Sequence, residues 1–96
     1  MKLDILAFGA HPDDVELGCG ASIAKAVAQG KKVGIIDLTQ GEMGTRGTAE
    51  LRASESKAAA DILGVRIREN LNFKDAFIFN DSDHQMEVIR VLRKYT

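Results

Sequence analysis

His11-Pro12-Asp13-Asp14 sets an imidazole and two carboxylates within four residues, and Glu16 adds a third carboxylate just beyond. Neutral imidazole and carboxylate together suit a divalent transition metal, zinc above all. His11 and Asp14, three apart across a tight turn, can converge on one ion, which leaves Asp13 free to act as a base toward water. A catalytic zinc needs about three protein ligands and an open position, and this segment supplies two. The same residues also fit a purely structural role, with Asp13 or Asp14 capping the next helix and His11 simply in the loop. Spacing alone leaves both readings open. Location weighs toward chemistry: the segment follows directly on the apolar run Leu3-Asp4-Ile5-Leu6-Ala7-Phe8-Gly9. Ionisable groups at the end of a buried strand are costly unless they bind a metal, a proton or a substrate.

The elements that must position these groups can be read from the hydrophobic pattern. Residues 3–9 and 33–39 are nearly continuous apolar runs, the mark of parallel strands buried on both faces. Between them, residues 16–29 place Gly20, Ile23, Ala24 and Val27 at helical spacing, with Gly30 as the terminating glycine. A second helix is predicted from Glu50 to Leu63, with Thr48 as N-cap and Gly64 as C-cap. Residues 65–73 alternate as Val65, Ile67, Glu69, Leu71 and Phe73, a third strand, and Ser82 to Tyr95 form a third helix. This βαβαβα order predicts an α/β fold, a Rossmann-like parallel sheet flanked by helices and joined by right-handed crossovers. Ligands bind beyond the carboxyl ends of such strands. The His11 segment and a second polar segment, Thr39-Gln40-Gly41-Glu42-Met43-Gly44-Thr45-Arg46-Gly47, both fall there.

Composition narrows the function classes. Ninety-six residues make one small domain at most, and 45% hydrophobic content suits a folded chain. A net charge of −1 and five scattered aromatics offer no nucleic-acid surface. No apolar run approaches a membrane span. The single cysteine, Cys19, excludes an internal disulfide framework, and the N-terminus does not read as a signal peptide, so a cytoplasmic setting is expected. The last helix reaches Tyr95-Thr96 where a fourth strand would be expected. Three strands alone leave an edge and apolar helix faces uncovered. Residues 1–96 are therefore read as the N-terminal part of a larger single domain, with a minimal domain completed by self-association as the alternative.

The run Phe8-Gly9-Ala10-His11-Pro12-Asp13-Asp14-Val15-Glu16 resembles the signature of the LmbE-like, or PIG-L, zinc-dependent N-acetylglucosamine deacetylases. The similarity continues through Thr39-Gln40-Gly41-Glu42, Gly44-Thr45-Arg46-Gly47, Arg52-Ala53-Ser54-Glu55 and Leu63-Gly64, and is greatest to the bacillithiol-pathway branch acting on N-acetylglucosaminyl-malate. The resemblance implies a Zn2+ cofactor held by His11 and Asp14, Asp13 as general base, and Arg52 as a substrate-binding arginine. Within it, Arg46 is a candidate for the malate carboxylate and Glu42 for a sugar hydroxyl, although their glycine-rich setting also fits a plain surface turn. The family's third ligand and its oxyanion-stabilising histidine belong to a later His-Pro-Asp-His type motif. The only other histidine here, His84 in Asp81-Ser82-Asp83-His84, does not match it and reads as a packed or capping residue.

On a helical wheel, Leu51, Ala58 and Ile62 form one apolar stripe of the second helix. Glu55 falls inside that stripe, with Arg52 as the expected partner of a buried carboxylate. Cys19 reads as inert packing early in the first helix. The expected protein is a zinc-dependent amidohydrolase acting on a small N-acetylglucosaminyl substrate and forming a homo-oligomer, with the 96-residue piece inactive alone. The rival expectation is a non-catalytic α/β module that binds an anion at a helix N-terminus.

Overall fold

A computed structural model describes residues 2–43 and 48–95. Six elements alternate along it: β1 (Ile5–Gly9), α1 (Asp14–Ala28), β2 (Val33–Thr39), α2 (Ala49–Leu63), β3 (Ile67–Phe73) and α3 (Ser82–Tyr95). The strands form one parallel sheet in the order β1-β2-β3. The Rossmann-like reading stands.

The position of β2 between its neighbours explains its composition: Val33, Ile35 and Ile36 have no exposed surface at all. Successive side chains point to opposite faces, so β2 feeds two cores. Val33 and Ile35 pack with Val15 and Ile23 of α1, flanked by Ala7, Val27, Leu63 and Val65. Ile36 packs on the opposite face with Val91 and Tyr95 of α3, flanked by Leu3, Leu6, Ile67 and Leu71. No helix among the described residues is long and apolar enough to cross a membrane.

Both predicted ends of α2 are present. The Thr48 hydroxyl accepts the Leu51 N–H at 3.1 Å, and Gly64 takes the left-handed conformation, φ 77°. Helix α1 differs from expectation in two ways. It begins at Asp14, two residues early, and it is kinked at Cys19 (φ −147°, ψ 24°) between Gly18 and Gly20. Cys19 is exposed there, not packed.

The buried face of α2 also differs. Leu51 and Ile62 point outward at 51% and 85% exposure, and Ala58 and Glu55 are exposed with them. The inward line is Arg52, Ser56, Ala59, Ala60 and Leu63. The reason lies in the sheet, whose facing surface toward the strand ends presents Asp37 and Arg68. Small and polar side chains match that surface better than an apolar stripe.

Candidate active site

The three strands end on one side, and the loops that leave them are tied together there. The Thr39 amide and hydroxyl both donate to the Ala10 carbonyl, at 3.0 and 2.9 Å, which joins the end of β2 to the His11 loop. The Asn70 amide on β3 donates to the Thr39 carbonyl at 2.7 Å. The sheet thus presents three loops as one surface.

His11 sits between two carboxylates. Its Nδ1 lies 3.3 Å from Asp14 Oδ2, and its backbone N–H donates to the same oxygen at 2.9 Å. On the far side of the ring, Nε2 lies 2.8 Å from Oδ1 of Asp75, a buried residue in the loop after β3. The hydrogen bond to Asp75 lifts the imidazole above its ordinary 6.5, with help from the Asp14 charge and against the opposing effect of burial. Burial pushes the Asp75 carboxyl upward, but hydrogen bonds from His11 and the Met43 amide outweigh it and hold the group below 3.8.

This donor set fits a divalent cation in part. Two ligands on a tetrahedral ion with bonds of about 2.0–2.1 Å stand about 3.3–3.4 Å apart, which is the Nδ1 to Oδ2 separation in His11 and Asp14. A metal-bound histidine ordinarily gives its other ring N–H to a carboxylate, the place Asp75 occupies. Among the described residues no group of three or more His, Cys, Asp and Glu could hold a metal ion. Within the described residues, His11 and Asp14 bring two such donors together.

Neither aspartate caps α1. Asp13 occupies the N-cap position without a side-chain cap hydrogen bond, and Asp14 is turned back to His11. Asp13 instead lines a cavity of about 560 Å3 beside Arg52, Glu55 and Ser56. Arg52 is half-buried and donates to the Gly41 carbonyl at 2.7 Å. Gly41 has φ 68°, a conformation that L side chains rarely adopt, and a Cβ there would displace the Arg52 guanidinium, so glycine is favoured at this turn. The expected pairing of Arg52 with Glu55 does not form; the arginine holds the loop after β2 instead. Glu42 is exposed and accepts the Asp75 N–H at 3.0 Å. Arg46 lies outside the described residues. His84 lies apart from His11 and Asp14: its Nδ1 lies 2.6 Å from Asp81 and its ring is edge-on to Phe73, a packed residue as read.

Asp75, Arg68 and Asp37 escaped the sequence reading. Asp75 is one acidic residue in a loop already rich in Asn and Asp. Asp37 and Arg68 did carry a signal: a strand covered on both faces has no solvent side for polar residues. Arg68 and Asn70 therefore had to face something polar.

The family described as PIG-L: GlcNAc-PI de-N-acetylase matches residues 6–96. The chain belongs to the PIG-L family. This PIG-L chain is 48% identical over 71 residues to the uncharacterized deacetylase YaiS of Escherichia coli (strain K12), covering 74% of the chain and 38% of that relative. It is 34% identical over 97 residues to the diacetylchitobiose deacetylase of Thermococcus kodakarensis, covering 94% of the chain and 36% of that relative. The crystal structure of the conserved protein TT1542 from Thermus thermophilus superposes with a TM-score of 0.91 at 44% identity, over 96% of the PIG-L chain and 42% of the other. The chain thus spans well under half the length of the relatives it matches, and both curated ones are deacetylases by name.

Proposed function

We propose that this chain carries part of the active site of a zinc-dependent deacetylase. The reaction is hydrolysis of the acetamide of an N-acetylglucosaminyl sugar to acetate and a free amine, with N-acetylglucosaminyl-malate as the substrate. The observation that carries the reading is the convergence of His11 and Asp14, with Asp75 behind the ring, at the strand ends of a chain matched to the family over residues 6–96. A bound zinc supplies Lewis acidity toward the acetamide carbonyl and lowers the pKa of water. Asp13 takes a proton from the attacking water on its carboxylate and returns it to the amine nitrogen as the C–N bond breaks. Arg52 offers its guanidinium to an anionic group in the cavity it shares with Asp13. Glu42 steadies Asp75 and keeps one oxygen for a sugar hydroxyl, and Arg46 takes the malate carboxylate. With this reading go a small soluble substrate, a cytoplasmic setting and self-association of the protein.

The rival anion-binding module is disfavoured by the residues at the start of α1. Asp13, Asp14 and Glu16 put three carboxylates at a helix N-terminus, where they repel the anion that the dipole would attract. Zinc titration of the chain, followed by NMR, is expected to move the His11 ring signals and leave those of His84 in place. Asp14→Ala is expected to weaken that binding at least about tenfold. Unchanged binding in Asp14→Ala sinks the metal assignment.

A further inference from the structure

Beneath the His11 loop lies a buried ionic cluster that the proposed reaction does not use. The Arg68 side chain is 9% exposed and Asp37 3%. Arg68 Nε and Nη2 donate to the two Asp37 oxygens, both at 2.9 Å, a bidentate fork across β3 and β2. Nη1 lies 3.0 Å from Glu16 Oε2 on the first turn of α1, and Nη2 lies 3.1 Å from Oε1. Nη1 also approaches the Ser56 carbonyl of α2 at 3.4 Å. A stronger contact leaves the cluster toward the His11 loop: Nη2 donates to the Pro12 carbonyl at 2.7 Å. The Ser56 hydroxyl donates to that same carbonyl at 3.2 Å.

The Pro12 carbonyl belongs to the peptide that joins Pro12 to Asp13, so its direction sets how the chain leaves His11 and enters Asp13. Proline has no N–H of its own to anchor this turn. The turn is also held from within, by the His11 amide on Asp14, the Asp14 amide on the His11 carbonyl at 3.2 Å and the Leu17 amide on the Asp13 carbonyl at 3.0 Å, while Asp75 meets the His11 ring and Thr39 the Ala10 carbonyl on its near side. Arg68 and Ser56 reach the turn from outside it. A guanidinium can do this because it presents five donors in a rigid plane, enough to saturate two carboxylates and still reach a carbonyl.

We propose that Arg68 is a positioning residue: buried between Asp37 and Glu16, it holds the Pro12 carbonyl and thereby fixes His11, Asp13 and Asp14 in their working arrangement. The inference rests on the metal reading above for its purpose, but its geometry is independent of it. Arg68→Lys keeps a positive charge for Asp37 and Glu16, yet a single ammonium cannot fork one carboxylate and reach the Pro12 carbonyl together. The test compares wild type and Arg68→Lys by ring-nitrogen and amide NMR of the metal-free full chain, then by zinc titration. His11 and His84, the only two histidines, serve as near and far reporters.

Arg68→Lys is expected to shift the His11 ring nitrogens and the Asp13 and Asp14 amides, leave the His84 ring unchanged, and weaken zinc binding about tenfold. Ser56→Ala is expected to shift the same loop signals by less. If Arg68→Lys lowers the melting temperature while the His11, Asp13 and Asp14 signals match wild type, Arg68 is a structural ion pair only and the proposal is overturned. Should Arg68→Lys fail to fold, the Asp37→Asn, Arg68→Gln double variant removes both charges together, and an unmoved His11 loop in it overturns the proposal equally. A wild-type chain that takes up no zinc would remove the metal reading by itself. The metal-free spectra would still decide Arg68.

Discussion

Ala76 is the residue where local backbone preference and site geometry disagree. It follows Asp75 and has φ 66°, a left-handed conformation that a Cβ disfavours by about 1–2 kcal/mol. Asp75 uses its amide, on Glu42, and both carboxylate oxygens, on Met43 and His11. Those three contacts hold the turn against the strain. Ala76→Gly relieves the clash but loosens the unfolded chain, a loss of about 0.4–1 kcal/mol. The net expected gain is about 0.5–1 kcal/mol, read by urea denaturation, with the His11 to Asp75 contact unchanged in NMR. A destabilised Ala76→Gly chain would show that the turn is not strained. At this scale the residue types of His11, Asp13 and Asp14 were enough to mark the segment as a candidate site. The sequence was silent about Asp75, since an aspartate acquires a role only from the histidine folded against it.

Docking of α3 is the clearest event at the scale of an element. Val91 and Tyr95 pack on Ile36, and the Tyr95 hydroxyl donates to Glu69 Oε2 at 2.9 Å while Arg90 holds Oε1 at 3.0 Å. Burial alone would raise the Glu69 carboxyl, but the hydrogen bonds from Arg90 and Tyr95 outweigh it and keep it below its ordinary 4.5. A depressed carboxylate contributes stability above its unfolded value and loses it as pH falls through the folded one. Tyr95→Phe is therefore expected to cost about 1–2 kcal/mol near neutral pH. The gap from wild type should narrow as pH drops below about 4.5, as measured by denaturant midpoints across that range. A gap independent of pH would assign the loss to packing instead. The ends of α2 and the bounds of α3 were legible because caps and helical spacing are local signals, although in α3 Val91 and Tyr95 are buried while Leu92 is 39% exposed. The buried face of α2 was not, because Leu51, Ala58 and Ile62 form a regular stripe and only the polar Asp37 and Arg68 surface beneath decides against it.

Across the whole molecule, the sheet divides the chain into an apolar layer under α3 and a mixed layer under α1 and α2. In the mixed layer, Val15, Ile23, Val33 and Ile35 give way to Asp37, Arg68 and Glu16 toward the strand ends. The candidate site thus lies at the polar end of one core. With two proposed metal donors among the described residues, the 96-residue chain is expected to bind zinc weakly and to release no measurable acetate from N-acetylglucosaminyl-malate. Acetate release that scales with this chain and disappears in Asp13→Asn would overturn that expectation.

The alternation of elements and the caps of α2 were determined by the sequence alone, since each is written in residue types within one element, and the βαβαβα order that follows implies a parallel sheet. The sequence left His11 and Asp14 between metal pair and helix cap, and the fold turned Asp14 back to the His11 ring. Tertiary structure alone decided that Asp75 stands behind His11, that Arg52 holds Gly41 rather than Glu55, and that Arg68 reaches the Pro12 carbonyl. Those contacts join residues 11 to 64 positions apart. Their partners become neighbours only when parallel strands bring their carboxyl ends to one side of the sheet.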